Sequence, residues 1–301
     1  VRLCVVIPAH APWHVVELTL GSFLRTHQTY EIDVHVGVHA NFCHYTSDYQ
    51  MFKDLRGIAQ IHMVEEIDWG AHNESMFRYS TMHAKNLENL LRHAAYYDFD
   101  RLVILDHDLF VKRPFVSECL LRFPEADLVG SAFDDLTELR EFKTENGQFL
   151  YALPKISVWH VILTRKLFDK IMADPRVIYP RMLSDEERMR YFPFYETPKD
   201  LPVFVDTFAD VFHKTRFIWD LKHELVPTPE FDAWVQHYSG SSFNYGFRIL
   251  GSERYNGRMV ASQDLFKKEF PYGLEPYRAR KRSMFLGELI NMKVTTPVTP
   301  E

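Results

Sequence analysis

The sequence predicts an α/β protein built on a mostly parallel, Rossmann-like sheet flanked by helices, followed by a smaller, less regular region. Three observations predict it. The strand candidates are unbroken apolar, β-branched runs, the pattern of strands covered on both faces. They alternate with helical periodicity, which calls for right-handed βαβ crossovers. And 46% of the 301 residues are hydrophobic and 15% aromatic, enough to cover a large sheet on two sides.

In chain order, Leu3-Cys4-Val5-Val6-Ile7 is a continuous apolar run that stops at Pro8, a first strand. Val15 to Leu24 reads as a helix. Ile32 to Val38 alternates in part and closes on His39-Ala40-Asn41, a second strand. Tyr49 to Leu55 reads as helical, and Ile61 to Val64 as a short third strand. Between Ser75 and Tyr96, Leu87, Leu90, Leu91, Ala94 and Ala95 recur at three- and four-residue spacing, which predicts a long amphipathic helix. Arg101 to Leu105 is another buried-strand run, ending abruptly in Asp106-His107-Asp108. Beyond it, Leu128 to Phe133 and Ser157 to Leu163 read as strands, Arg165 to Ala173 and Asp206 to Lys214 as helices. Asp174 to Pro202 is Pro- and charge-rich and reads as an irregular insertion, of a length that compact domains reserve for functional segments. Val294 to Glu301, rich in Thr and Pro, reads as a frayed tail.

Charge and cysteine content exclude several classes. Lys and Arg number 35 against 41 Asp and Glu, a net charge of −6, so no nucleic-acid partner is expected. Cys4, Cys43 and Cys119 lie far apart without CxxC spacing, which argues against a disulfide framework or thiolate zinc site and for a reducing, cytoplasmic setting. No apolar run approaches the roughly 18 to 20 residues that span a bilayer.

The chemistry concentrates at Asp106-His107-Asp108. In an open α/β sheet, ligands bind beyond the carboxyl ends of the strands, so carboxylates at i and i+2 there face a cleft. Such hard oxygen donors suit Mg²⁺ or Mn²⁺, which completes its shell with water and phosphate oxygens. Asp-x-Asp also occurs in plain turns and helix caps.

Val5-Val6-Ile7-Pro8-Ala9-His10 resembles the first strand and nucleotide loop of GT-A-fold glycosyltransferases, especially the family-2 group. Val103-Ile104-Leu105-Asp106-His107-Asp108 resembles their DxD strand. The order of further parts is also similar: Lys85-Asn86-Leu87-Glu88-Asn89 before the DxD strand, Ser157 to Arg165 after it, Phe204-Val205-Asp206-Thr207 before a helix, and His237-Tyr238-Ser239-Gly240-Ser241-Ser242 late in the chain. The resemblance covers roughly Val1 to Ser242 and rests on several ordered short motifs. It implies a nucleotide-sugar-binding half over 1–110, an acceptor-binding and catalytic half over 111–275, and a C-terminal extension over 276–301.

Carried over by position, the resemblance implies that Asp106 and Asp108 hold Mn²⁺ or Mg²⁺ and the donor diphosphate, with His107 between them. His237 becomes a third metal ligand or diphosphate contact, or else a structural histidine. Pro8, Ala9 and His10 line the base and ribose. Lys85 neutralises phosphate charge, or is a solvated helix residue. The acidic turn that usually reads the base is absent, and Asn41 is the residue placed to replace it.

Inverting transfer needs a base for the acceptor hydroxyl, stabilisation of the leaving diphosphate, and in-line positioning. Asp206, at a strand-to-helix junction, is the candidate base; its rival role is N-cap of that helix, with Asp210 on the helix surface. Asp134, Asp135 and Glu196 are weaker alternatives. Trp159, Tyr191, Phe192, Phe194, Tyr195, Phe204, Phe208 and Trp234 are an acceptor platform or core. Tyr277 to Leu286 joins basic and apolar residues, either a solvated face or a peripheral membrane contact suited to a lipid-linked acceptor in place of a saccharide. A nucleotidyltransferase would carry a Gly-rich basic loop after the first strand, which Pro8 to Pro12 lacks. A catalytically silent carbohydrate- or partner-binding module is the alternative from another class.

Overall fold

The structure, a computed structural model, describes residues 1–10, 13–39, 55, 57–64, 78–132, 135–143, 149–157, 160–191, 195, 202–237 and 243–281. In chain order the elements are β1 (Arg2–Ala9), α1 (Trp13–Thr26), β2 (Glu31–His39), β3 (Gln60–Val64), α2 (Arg78–Ala94), β4 (Arg101–Leu105), β5 (Leu109–Val111) and α3 (Phe115–Arg122). There follow β6 (Leu128–Ser131), β7 (Arg140–Lys143), β8 (Phe149–Ala152), β9 (His160–Thr164), α4 (Arg165–Ala173), a 3-10 turn (Pro175–Ile178), β10 (Arg181–Met182) and α5 (Asp185–Tyr191). The last are β11 (Val203–Val205), α6 (Ala209–Phe217), β12 (His223–Val226), α7 (Thr228–Trp234), β13 (Val235–His237) and α8 (Phe243–Glu269).

A seven-stranded sheet in the order β12-β6-β9-β4-β1-β2-β3 forms the centre. All its pairings are parallel except those of β9, which runs antiparallel between β4 and β6. Its central strands β1, β4, β6 and β9 are buried on both faces, as their apolar runs require. Leu3, Val5 and Ile7 of β1 pack with α1 and α3, while Cys4 and Val6 pack under α2, the two-residue period of a strand expressed as two cores. The sheet draws β1 to β4 from the first 110 residues and β6, β9 and β12 from later ones, so a division at residue 110 runs through it.

Gly37 allows α2 to approach this closely. A Cβ there would lie 1.9 Å from Asn86 Oδ1, and the buried Asn86 amide donates to the Gly37 carbonyl at 3.0 Å. At the other face α1 packs against the C-terminal segment, where Gly21 leaves room for Leu274 and Phe270.

A second sheet, β10-β11-β8-β7, and the small antiparallel pair β13-β5 complete the architecture. Several expectations are corrected. The stretch 174–202 is not irregular throughout, since it holds the 3-10 turn, β10 and α5. Its helix is started by a capping box: Glu187 N–H donates to Ser184 Oγ (3.3 Å) and Ser184 N–H to Glu187 Oε2 (3.0 Å). α6 begins at Ala209 instead of Asp206. α2 ends at Ala94, short of Tyr96. The expected helix over 49–55 lies outside the described residues apart from Leu55, which is in a turn.

Candidate active site

β1 and β4 are parallel neighbours at the centre of the sheet, with β2 on one side and β9 on the other. The chain leaves β1 toward β2 and β3 and returns to place β4 on the other side of β1, a switch point of the kind at which open α/β sheets bind ligands beyond the carboxyl ends of their strands. Both ends carry candidate residues. Pro8, Ala9 and His10 leave β1 buried, and Asp106-His107-Asp108 forms the turn from β4 to β5.

The His107 ring is buried beneath that turn. Its Nδ1 lies 2.8 Å from Asp106 Oδ1 and 3.2 Å from the Pro8 carbonyl, tying the two strand ends together. Asp106 Oδ1 also accepts the His107 N–H at 2.9 Å. From below, Thr19 Oγ1 on α1 lies 2.6 Å and 2.8 Å from the carbonyls of His107 and Leu109 and accepts the Leu109 N–H at 2.9 Å. Ser22 Oγ accepts the Val111 N–H at 2.9 Å. Two hydroxyls one helical turn apart on an otherwise apolar helix face thus clamp the turn that presents the carboxylates.

β5 pairs antiparallel with β13, with Leu109 opposite His237. This register brings His237 Nε2 to 3.0 Å from Asp108 Oδ1. Asp106, His107 and Asp108 each offer a ligand atom within 4.8 Å of the others. Two carboxylates with imidazole nearby form a donor set compatible with Mn²⁺ or Mg²⁺.

The electrostatics follow from crowding. Burial opposes ionisation of Asp106, but the His107 charge and hydrogen bond, then His83 and His237, hold its carboxyl well below the usual range. Burial likewise opposes protonation of His107, yet Asp106 and Asp108 outweigh it and raise the ring to about 9. His237 is raised against burial chiefly by Asp108. His160, opposite Leu105 in the register, is pushed down to about 3 by burial; its Nε2 lies 2.8 Å from Ser131 Oγ and its ring stacks on Phe231.

Asp206 is not an N-cap. Phe208 occupies the cap position of α6 in the left-handed region (φ 65°), with no side-chain cap. Asp206 Oδ1 accepts the Thr207 N–H at 2.8 Å, and Oδ2 lies 2.5 Å from Lys155 Nζ. Burial would raise this carboxyl; Lys155, Thr207 and Ser80 bring it below the ordinary value. Asp210, expected on the helix surface, is fully buried, receiving Arg181 at 2.8 Å and the Tyr191 hydroxyl at 2.5 Å.

Two residues that the sequence reading missed join these groups. His83 on α2 feels the charges of both Asp106 and Asp206, opposed by His107 and Lys155, with burial dominant and its pKa lowered. Its ring packs 5.5 Å from that of His10, which in turn meets His107 edge-on at 5.8 Å. Lys155 is the other. No sequence motif announces it, because its partner is fifty-one positions away.

The remaining candidates divide. Lys85 is half-buried on α2, and no described contact ties it to Asp106 or Asp108. Asn41, Asp134, Trp159, Phe192, Phe194 and Glu196 lie outside the described residues. Tyr191, Tyr195, Phe204, Phe208 and Trp234 are buried core. In the basic C-terminal segment, Arg280 donates to the Gln28 carbonyl at 2.6 Å, Lys281 lies 3.5 Å from Asp33, and Arg278 pairs with Glu275. Each of these three charges therefore has a partner within the protein, though Arg280 is exposed. No helix among the described residues is long and apolar enough to cross a membrane.

No family model and no curated protein matches the chain. Among solved structures it is similar to mouse xyloside xylosyltransferase 1 in its apo form, at 12% identity and TM-score 0.39 over 75% of this chain and 84% of that one. It is similar to 4-diphosphocytidyl-2C-methyl-D-erythritol synthase from Anaerococcus prevotii, at 12% identity and TM-score 0.34 over 69% and 88%. A third is the mannosyltransferase PcManGT from Pyrobaculum calidifontis, solved with GDP-Man and Mn²⁺, at 15% identity and TM-score 0.36 over 98% and 81%. Superpositions this loose leave the chemistry to rest on the site itself.

Proposed function

We propose that the protein is a metal-dependent glycosyltransferase of GT-A type, similar to the family-2 enzymes, moving a sugar from a nucleoside-diphosphate sugar to an acceptor hydroxyl with inversion. One observation carries this reading. The Asp106-His107-Asp108 turn lies at the switch point between β1 and β4, bound to Pro8 through His107 and flanked by His237.

Asp106, Asp108 and His237 would hold the ion, which supplies charge stabilisation to the departing diphosphate. His107 is buried under the turn and acts by fixing Asp106. Pro8, Ala9 and His10 form the wall beside which the nucleoside lies. Asp206 accepts the proton of the acceptor hydroxyl as that oxygen bonds to the anomeric carbon and the bond to the diphosphate breaks. Lys155 keeps the Asp206 carboxylate ionised and holds one oxygen in place. The acceptor is a saccharide hydroxyl, free or lipid-linked.

The silent-module alternative is favoured by one observation, that Asp206 is already paired with Lys155 at 2.5 Å. Incubation with a panel of nucleotide sugars and Mn²⁺, following nucleoside diphosphate release with and without saccharide acceptors, separates the two. Acceptor-stimulated release supports the transferase. Binding of donor without release supports the module.

A further inference from the structure

We propose that His213 is a positioning residue: through the carbonyl of Pro154 it fixes the peptide that carries Lys155, and so sets where the Lys155 ammonium meets Asp206. The inference rests on the transferase reading above and extends it to a residue that does not line the cleft.

His213 lies in the second turn of α6 and is fully buried. Its Nε2 is 2.6 Å from the Pro154 carbonyl oxygen, and its Nδ1 is 3.2 Å from the Tyr195 hydroxyl. A carbonyl oxygen only accepts, so Nε2 carries the hydrogen and donates; Nδ1 then holds the lone pair and accepts from Tyr195. The tautomer is therefore determined. The ring is otherwise enclosed by Tyr191, Phe212 and Phe217, with centroids 5.1 to 6.1 Å away. Burial pushes its pKa down to about 4, so it stays neutral in use.

A phenylalanine would pack in this aromatic shell without the desolvation cost of an imidazole. What the imidazole adds is two hydrogen bonds, one from Tyr195 and a shorter one that lands on the peptide plane shared by Pro154 and Lys155. Fixing that carbonyl fixes the orientation of the plane, and with it the direction in which Lys155 leaves the backbone. The far end of the Lys155 side chain then reaches Asp206 Oδ2 at 2.5 Å. Asp206 itself leads into the helix that bears His213, its carbonyl accepting the Ala209 N–H at 3.0 Å. The helix and the segment leading into it thus grip Pro154–Lys155 at two points, by the His213 imidazole on the backbone and the Asp206 carboxylate on the ammonium. Leu153 N–H, bonded to the Phe204 carbonyl at 2.9 Å, secures the segment from its other side.

The decisive test reads the Lys155–Asp206 coupling without using activity. A double-mutant cycle of Lys155→Met and Asp206→Asn, measured by urea unfolding, is run in the wild-type, His213→Phe and His213→Gln backgrounds. The coupling is expected in the wild type, lost in His213→Phe, and largely restored in His213→Gln, whose amide N–H replaces the donor. Equal coupling in wild type and His213→Phe overturns the proposal. If His213→Phe does not fold, ¹⁵N resonances of the wild-type ring decide: the Nε2–H tautomer supports the proposal and the Nδ1–H tautomer overturns it. In transfer assays His213→Phe should lower kcat about tenfold with donor KM unchanged, and His213→Gln should recover it. Intact coupling in a wild-type protein that transfers nothing would count against the transferase reading and leave the positioning geometry standing.

Discussion

His237 Nε2 lies 3.0 Å from Asp108 Oδ1 because the strand ending at His237 pairs with the strand beginning at Leu109. The pairing brings to the DxD turn the late histidine that the His237-Tyr238-Ser239-Gly240-Ser241-Ser242 segment had singled out by resemblance. If it completes an ion site, His237→Ala should weaken Mn²⁺ binding at least tenfold in isothermal titration, with little change in melting temperature of the metal-free protein. A lowered melting temperature with unchanged Mn²⁺ affinity would make it a structural residue.

Asp206→Asn preserves shape and the acceptor for the Thr207 N–H while removing basicity. Transfer should fall by roughly 10²- to 10⁴-fold with nucleotide affinity near wild type. Steady-state kinetics checks this, and an undiminished rate would move the base elsewhere.

Gly37→Ala forces a methyl into Asn86. Overpacking of this kind costs about 1–3 kcal/mol. Because Asn86 sits on the helix that also carries His83, the urea midpoint should drop and nucleotide affinity should weaken in parallel. A midpoint unchanged from wild type would contradict the close packing of α2 on β2.

Several buried histidines are held neutral. Burial lowers His27 and His213 to about 4 and His160 to about 3, whereas an unfolded histidine titrates near 6.5. The unfolded chain therefore binds more protons as pH falls below about 6.5, and stability declines from there through about 4. His27 takes part in this directly, accepting the Val116 N–H at 3.2 Å while its Nδ1 faces the Phe23 carbonyl at 3.0 Å. Urea midpoints measured from pH 7 to 4 should show a shallower acid limb in His27→Gln than in wild type. Identical limbs would mean that His27 protonates freely in the folded state.

The central strands and the DxD turn were legible because an apolar run cut short by a proline or by charged residues has few alternative placements in an α/β sheet. Leu3 to Ile7 and Arg101 to Leu105 are of that kind, and both lie where expected. The Ser184–Glu187 capping box was also written in the sequence, but surrounding prolines and charges masked it. The Lys155–Asp206 pair and the His213–Pro154 bond were not legible. Each depends on how β8 and β11 align, a long-range register that no local spacing encodes. Phe208 is a further instance, since only the folded chain shows a bulky residue held at φ 65°.

The most direct measurement is calorimetric titration of nucleoside diphosphates into wild type and Asp108→Asn, each with and without Mn²⁺. A transferase site at Asp106 and Asp108 predicts that Mn²⁺ tightens binding of at least one nucleoside diphosphate to the wild type by tenfold or more, and that Asp108→Asn loses this enhancement while keeping its cooperative unfolding. Equal enhancement in both proteins, or none in the wild type, would contradict it.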